Sequence, residues 1–496
     1  MNKTSIKVSL FILVWFLGSI STAQAQSFDE YKKRVQSEFN QYKSDKEREF
    51  KEYRDRINAE FAEFLKKPWE KKDAEKPAPE PPKVPDVPPI VLPDIDIDLP
   101  EDNLIDIDID LPLVDETPIP IAPIPYKPKP REKTMAFTFY GTPGSFRFDP
   151  DNKARLKSSS EKDVSRFWEE LSGEAYDNLL ADCLNMKKEL DLCDWAYFKM
   201  TEKVAETMYG KSNDATVFQT WLLAQSGYRA RLGRENKKLY LLLNTNELLF
   251  GKPYYTLDDG RYFLLDDSLF GTQLHVLGAS FPDTKALRMT VAGQNKLVQK
   301  DTKVRGLRSK KYPDASAQVV CNSNLLDFMN DCPSSALEGS QITDWRKYAY
   351  TPLSASAQNR LYPALRRQIN GKNEAEAANI LLNFVQTAFE YKTDQEAWGY
   401  ERSFFPEETL YYPYSDCEDR AILFCRLVTD LMGLPAALVY YPGHLAAAVQ
   451  FKSAIPGDYF LIDGKRFLIC DPTYINAPIG LTMPGMDNKT AKVFPL

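Results

Sequence analysis

Between residues 27 and 67 the apolar positions return every 11 residues. Phe28, Phe39, Phe50 and Phe61 are each followed three positions later by Tyr31, Tyr42, Tyr53 and Phe64, with Lys, Arg, Asp and Glu in between. Eleven residues close three helical turns at about 3.67 residues per turn, so the aromatics form one stripe along one long helix. Pro68 ends it. One helix cannot bury such a stripe alone. The stripe must pack on itself in an oligomer, on another protein or on the rest of the chain, unless it decorates a solvated helix.

From residue 68 to 132 the chain is rich in proline and low in complexity, which predicts an extended, semi-rigid spacer. Within it Ile and Asp alternate over 95–98 and again over 105–110. That period of two suits an exposed strand. Calcium is only weakly suggested by these aspartates, because no glycine turn or ligand loop accompanies them.

Globular patterning begins near Thr134. Residues 160–210 carry Phe167, Leu171, Leu179, Leu180 and Leu184 at helical spacing, and 239–243 and 261–265 have strand character. Residues 285–325 alternate in short pieces and predict a β-rich connector. Residues 355–390 return to helix, opened at Asn373-Glu374-Ala375-Glu376. The last part then has the order helix, strand, strand. The expected organisation is a leader over 1–25, the repeat helix over 26–67, the linker over 68–132, a middle domain over 133–280, the connector over 281–350 and a C-terminal domain over 351–496. The fold class is α+β.

The leader has Lys3 and Lys7 ahead of an apolar run from Val8 to Ile20, then Ala23-Gln24-Ala25. This pattern predicts a secretory signal cleaved after Ala25, with an uncleaved anchor as the alternative. It implies a periplasmic or secreted protein with no transmembrane segment after cleavage. The net charge of −7 and the lack of a basic tract give no reason to expect a nucleic-acid partner. Two histidines in all exclude a His-rich metal centre, and no CxxC occurs, so neither metal nor cofactor is expected. In an oxidising compartment Cys183 with Cys193, and Cys321 with Cys332, are plausible disulfides, while Cys425 and Cys470 suit a buried apolar role.

Chemistry concentrates at Cys417, His444 and Asp471. Ser415 or Asp416 can cap a helix whose apolar body is Ala421, Ile422, Leu423, Phe424, Leu427, Val428 and Leu431, closed by Gly433 and Pro435. Cys417 then lies in the first turn, where the helix dipole and free amides favour a thiolate and can hold an oxyanion. His444 opens the second of two strands, 436–441 and 444–451, joined at Pro442-Gly443, and Asp471 ends a third strand over 466–470. Each residue also has a structural role open to it: a packed thiol, a core imidazole, a turn carboxylate. Their order, with 27 residues between successive members, matches nucleophile, base and orienter.

This segment resembles the transglutaminase-like family, whose core shares its layout with papain-type cysteine proteases. The resemblance rests on Cys417, Ala421, Gly433, His444 and Asp471-Pro472-Thr473, with Phe404-Phe405-Pro406-Glu407-Glu408-Thr409-Leu410 upstream, and covers roughly residues 355–480. It implies a Cys417, His444, Asp471 triad. Leu445-Ala446 depart from the family's usual residues after the histidine, which puts its aromatic wall in doubt; Tyr440, Tyr441 or Trp398 could replace it. Residues 211–239 of the middle domain also align without gaps with 417–445, and further on 259–265 echo 463–469. Lys211 then faces Cys417, Lys238 faces His444, and Asp267 matches Asp471, as in a degenerate second copy that two lysines would leave catalytically dead. His275 lies outside the aligned core and is expected to be structural. The expected function is cysteine acyl transfer on a peptide or protein substrate. It would be hydrolytic if water accepts the acyl group and crosslinking if an amine does. The competing expectation is a non-catalytic peptide-binding scaffold, and self-association through the repeat helix fits either.

Overall fold

A computed structural model describes residues 28–77, 88–93, 102–105, 108–109, 129–265, 273–291, 293–337 and 342–496. The expected leader, most of the proline-rich segment and Asp267 lie outside these residues. The chain forms two compact units, residues 1–56 and 57–496. A single helix α1, Phe28–Leu65, carries the 11-residue repeat, and Pro68 lies just beyond it. Its residues from Ile57 onward belong to the second unit, where Phe61 packs 5.1 Å from both Trp168 and Phe281. Among the described residues no helix is long and apolar enough to cross a membrane.

Among the described residues the second unit holds two large sheets and four two-stranded ones. The first is built from β1 (Glu70–Lys72), β4 (Ala230–Glu235), β5 (Lys238–Asn244), β6 (Tyr254–Leu257), β7 (Gly260–Leu264) and β8 (Leu274–Val276), in the order β1-β8-β4-β5-β7-β6. The second is built from β2 (Asn103–Ile105), β3 (Asp108–Ile109), β9 (Ala436–Tyr441), β10 (His444–Val449), β11 (Asp458–Ile462), β12 (Lys465–Cys470) and β13 (Lys492–Pro495), in the order β2-β11-β12-β10-β9-β13-β3. Traversed from opposite ends, the two orders coincide strand for strand from β6-β7-β5-β4-β8 to β11-β12-β10-β9-β13.

Chain connectivity shows that the second sheet is curled. Ile105 ends one edge strand and Asp108 begins the other. Three residues span at most about 11 Å, whereas six inter-strand steps in a flat sheet need about 29 Å. The edges must therefore meet, which makes a small barrel. Asn103–Ile105 and Asp108–Ile109 thus close a barrel as well as forming strand. The first sheet repeats the device: Glu70–Lys72 pairs with β8 at one edge, and Glu75 bridges to Tyr254 of β6 at the other. The closing segment runs in the opposite direction in the two cases.

Closure explains why the strands are apolar on both faces. Ala437, Val439, Ala446, Ala448, Phe460, Phe467, Ile469 and Val493 form an inner core with Ile105. Leu438, Leu445, Ala447, Leu468 and Cys470 face the main core with helix α8, Cys417–Met432. That main core also takes in the helices that precede each sheet: α2 (Glu161–Leu171), α3 (Asp177–Glu189), α4 (Asp194–Tyr209) and α5 (Asn213–Gln225) before the first, α6 (Ala355–Ile369) and α7 (Glu374–Ala388) before the second. Asn373, at the expected start of the run, caps α7 in a capping box with Glu376.

Two expectations need correction. Among its described residues the connector over 281–350 holds one short hairpin, Arg305–Arg308 with Ser316–Val319, and a two-residue strand, beside helices Ser323–Asn330 and Arg346–Ala349. Short alternations there fold as irregular chain whose apolar residues, such as Leu287, Met289 and Val291, fill the main core. The disulfides do not form: all seven cysteines are free thiols. Cys321 donates to the carbonyl of Glu407, Cys332 to that of Phe328, and Cys193 caps α4 by accepting from Ala196 N–H.

If the 103–109 segment is structural, Ile105→Ala lowers unfolding stability by about 2–4 kcal/mol, the usual cost of a truncated core isoleucine. Leu104, half exposed on the same strand, changes it by less than about 0.5 kcal/mol when made alanine. Urea unfolding of the two variants checks this; equal and small effects would mean that the segment does not close the barrel.

Candidate functional site

Cys417 is the first residue of α8, after Asp416 at the N-cap, and Gly433 ends the helix at φ +66°. The left-handed value is one glycine adopts without strain. The helix is apolar because its first turns are buried between the barrel and α7. Cys417, His444 and Asp471 are all buried, at 4%, 2% and 2% exposure.

Asp471 is held by its own turn. Its Oδ1 accepts the N–H groups of Thr473 (2.8 Å) and Tyr474 (3.2 Å), the Asx geometry that an aspartate before proline favours. Oδ2 is left to meet Nε2 of His444 at 2.8 Å. Nδ1 of His444 is buried and has no hydrogen-bond partner, so one ring nitrogen is fixed by the carboxylate and the other is open. Tyr441, paired with His444 across the β9–β10 turn, lies with its ring 6.3 Å from the imidazole and nearly parallel to it. It supplies the aromatic neighbour the sequence lacks after His444. Trp398 instead packs with Phe404 and Tyr412, and Tyr440 with Trp345.

The thiol departs from expectation. Sγ of Cys417 donates to Oε2 of Glu418 at 3.2 Å, and Leu445 N–H bonds to the sulfur. Burial, reinforced by the Glu418 and Asp416 carboxylates, pushes the Cys417 thiol well above its usual range. The helix start was expected to favour a thiolate; desolvation and adjacent negative charge outweigh it here. In this resting geometry the thiol hydrogen goes to Glu418 and not to His444.

Glu418 belongs to a carboxylate group that sequence reasoning missed. One ligand oxygen from each of Asp394, Glu401 and Glu418 lies within 4.8 Å of the others. Asp416 and Asp419 adjoin them, and the Asp416 carboxyl is buried against that of Glu418. Burial first, then neighbouring carboxylates, raises Asp416 and Asp419 well above the usual range for aspartate. Asp394, Glu401 and Glu418 are the described residues that could hold a metal ion, and their oxygen donors suit a hard cation. The run Asp416-Cys417-Glu418-Asp419 was visible in the sequence, but Asp394 and Glu401 reach it only through the fold.

Two buried side chains tie the site together. Gln386 on α7 donates through Nε2 towards the carbonyls of Asp471, Tyr474 and Ala477. Arg420, one turn after Cys417, donates to Ser415 Oγ and to the carbonyls of Gln386 and Phe389. The aspartate turn and the cysteine helix are thus both pinned to α7.

In the middle region the corresponding place is occupied differently from the ungapped alignment. Lys211 precedes the helix and its side chain is 89% exposed. The first helical residue is Asn213, whose Oδ1 accepts Leu239 N–H at 2.9 Å. Leu239 aligns with Leu445, so Asn213 takes the backbone N–H that Cys417 takes in the other sheet. Lys238 does open β5 as His444 opens β10, and it is exposed. His275 lies exposed on β8, paired with Lys71 and Arg234.

Residues 361–487 match a family model described as a transglutaminase-like domain. The likeness falls on the helix, the strands and all three candidate residues. No curated protein and no solved structure matches the chain.

The raised carboxylates fix a pH dependence. The folded state holds protons on Asp416 and Asp419 at pH values where the unfolded chain, with aspartates near about 4, has lost them. Their contribution is therefore present at low pH and is lost as pH rises through the folded values, by at most about 1.4 kcal/mol per pH unit for each proton. With chelator present, Asp416→Asn gains stability relative to the parent as pH rises from about 5 to 8. Urea midpoints across that range measure it, and a gap that stays constant or narrows would contradict the assignment.

Proposed function

We propose that this chain is an exported cysteine acyl-transfer enzyme, acting on amide bonds of peptide or protein substrates through a thioester on Cys417. The observation that carries the reading is the His444–Asp471 pair at 2.8 Å, which leaves Nδ1 of His444 buried and open. Such a nitrogen is a proton acceptor waiting for a donor, and Cys417 at the adjoining helix start is the nucleophile of matching chemistry. In the proposed reaction Glu418 releases the thiol hydrogen. Nδ1 takes that proton as sulfur attacks the carbonyl carbon, and the imidazolium then gives it to the departing amine. Water, activated by the same nitrogen, attacks the thioester and returns the thiol. An amine in place of water would give a crosslink. Hydrolysis is the outcome we favour, in line with bacterial members of the family that the segment resembles.

We read the middle module, residues 133–280, as a degenerate second copy that retains the scaffold without the chemistry. Its strand order and the Asn213–Leu239 contact support this. Different sheet connectivity in an experimental structure of that module would end the idea. A purely scaffolding role for the whole chain gives no reason for a buried His444–Asp471 pair with an open Nδ1.

Iodoacetamide alkylation tests the enzyme reading. Cys417 of the native protein is expected to react at least about 100-fold faster than in His444→Ala, the lower range for loss of a positioned base. Equal rates in two equally folded proteins would remove the catalytic reading. Export is tested separately: the secreted or periplasmic product is expected to begin at Gln26, and a mass that retains residues 1–25 would contradict cleavage.

A further inference from the structure

The same aromatic stripe meets two fates along α1. Ile57, Phe61 and Leu65 are buried in the second unit, whereas Val35, Phe39, Tyr42 and Tyr53 are exposed, at 40%, 59%, 63% and 38%. Exposed apolar surface of this extent on one helix face marks an interaction site.

The charges beside the stripe say what covers it. With 11 residues per three turns, the position after each Tyr lies on one edge of the stripe and the position before each Phe lies on the other. The first edge is Lys32, Lys43 and Arg54; the second is Glu38, Glu49 and Glu60, with Ser27 before Phe28. From residue 32 onward one edge is therefore basic and the other acidic. These places correspond to the flanking positions that choose partner and direction in a coiled coil. When two copies of one helix pack parallel and in register, opposite edges meet, so basic faces acidic twice. When they pack antiparallel, like edges meet and both contacts repel. Arg54 and Ile57 are buried, so the available seam is residues 28–53.

We propose that residues 28–53 form a parallel, in-register coiled coil with the same segment of a second copy of this chain. Phe39, Tyr42 and Val35 lie in its seam, and Glu38 of each copy faces Lys43 of the other, five positions on. The 11-residue period predicts a straight or weakly right-handed supercoil. The pairing does not depend on the proposed chemistry at Cys417, and either can fail without the other.

Sedimentation equilibrium on the full chain tests it. The parent is expected to be a concentration-dependent dimer and Phe39→Asp a monomer, with the melting of the body unchanged. Glu38→Lys weakens the dimer by about five- to tenfold, because two symmetric contacts turn repulsive, and adding Lys43→Glu restores it. Val35→Cys, oxidised mildly, is expected to give a disulfide-linked dimer through residue 35 of both copies. A monomeric parent, a dimer indifferent to Phe39→Asp, or a charge reversal that the second change fails to rescue would each overturn the proposal.

Discussion

Burial of the first turn of the Cys417 helix against the strand that starts at His444 is the constraint on which the rest of the site depends. It fixes the sulfur at the Leu445 N–H, and it also takes Asp416, Glu418 and Asp419 out of water. The cost is high, because carboxylates in a dry pocket repel one another and hold protons. Arg420 is the buried cation of the same helix turn, and its hydrogen bonds go to Ser415 and to the carbonyls of α7. A barrel closed on itself is what makes the strand side rigid enough to accept that helix. Its inner core is separate from the main one, so β10 is packed from both faces.

The site's geometry divides into a settled half and a poised half. Asp471 is oriented by its own turn and by Gln386, and it orients His444. Cys417, by contrast, shares its hydrogen with Glu418. Burial and the neighbouring carboxylates favour the protonated form of the Cys417 thiol.

Much of this was legible in the sequence, and the rest was not for identifiable reasons. The helix over 28–65, the capping box at Asn373, the strands around 238–244, 436–441 and 444–449, and the turn at Asp471 follow from local period and turn chemistry, which depend on near neighbours. Barrel closure by Glu70–Lys72 and Asn103–Ile105 was hidden because pairing partners lie hundreds of residues away, and proline-rich composition masked the strands. The middle helix begins at Asn213, two residues after Lys211, a boundary that an ungapped comparison of sequence does not mark. The thiol's environment was misjudged because a helix start was weighed without the burial that reverses its effect. Val91 bridging to Ile475 is another long-range contact that no local pattern signals.

The central claim is that Cys417 carries the acyl group. Incubation with p-nitrophenyl acetate, followed by acid quench and peptide mass spectrometry, measures it directly. The account predicts a single acetyl group on the Cys417 peptide, sensitive to hydroxylamine and lost in His444→Ala. Acetylation absent from Cys417, or present there to the same extent without His444, would contradict it.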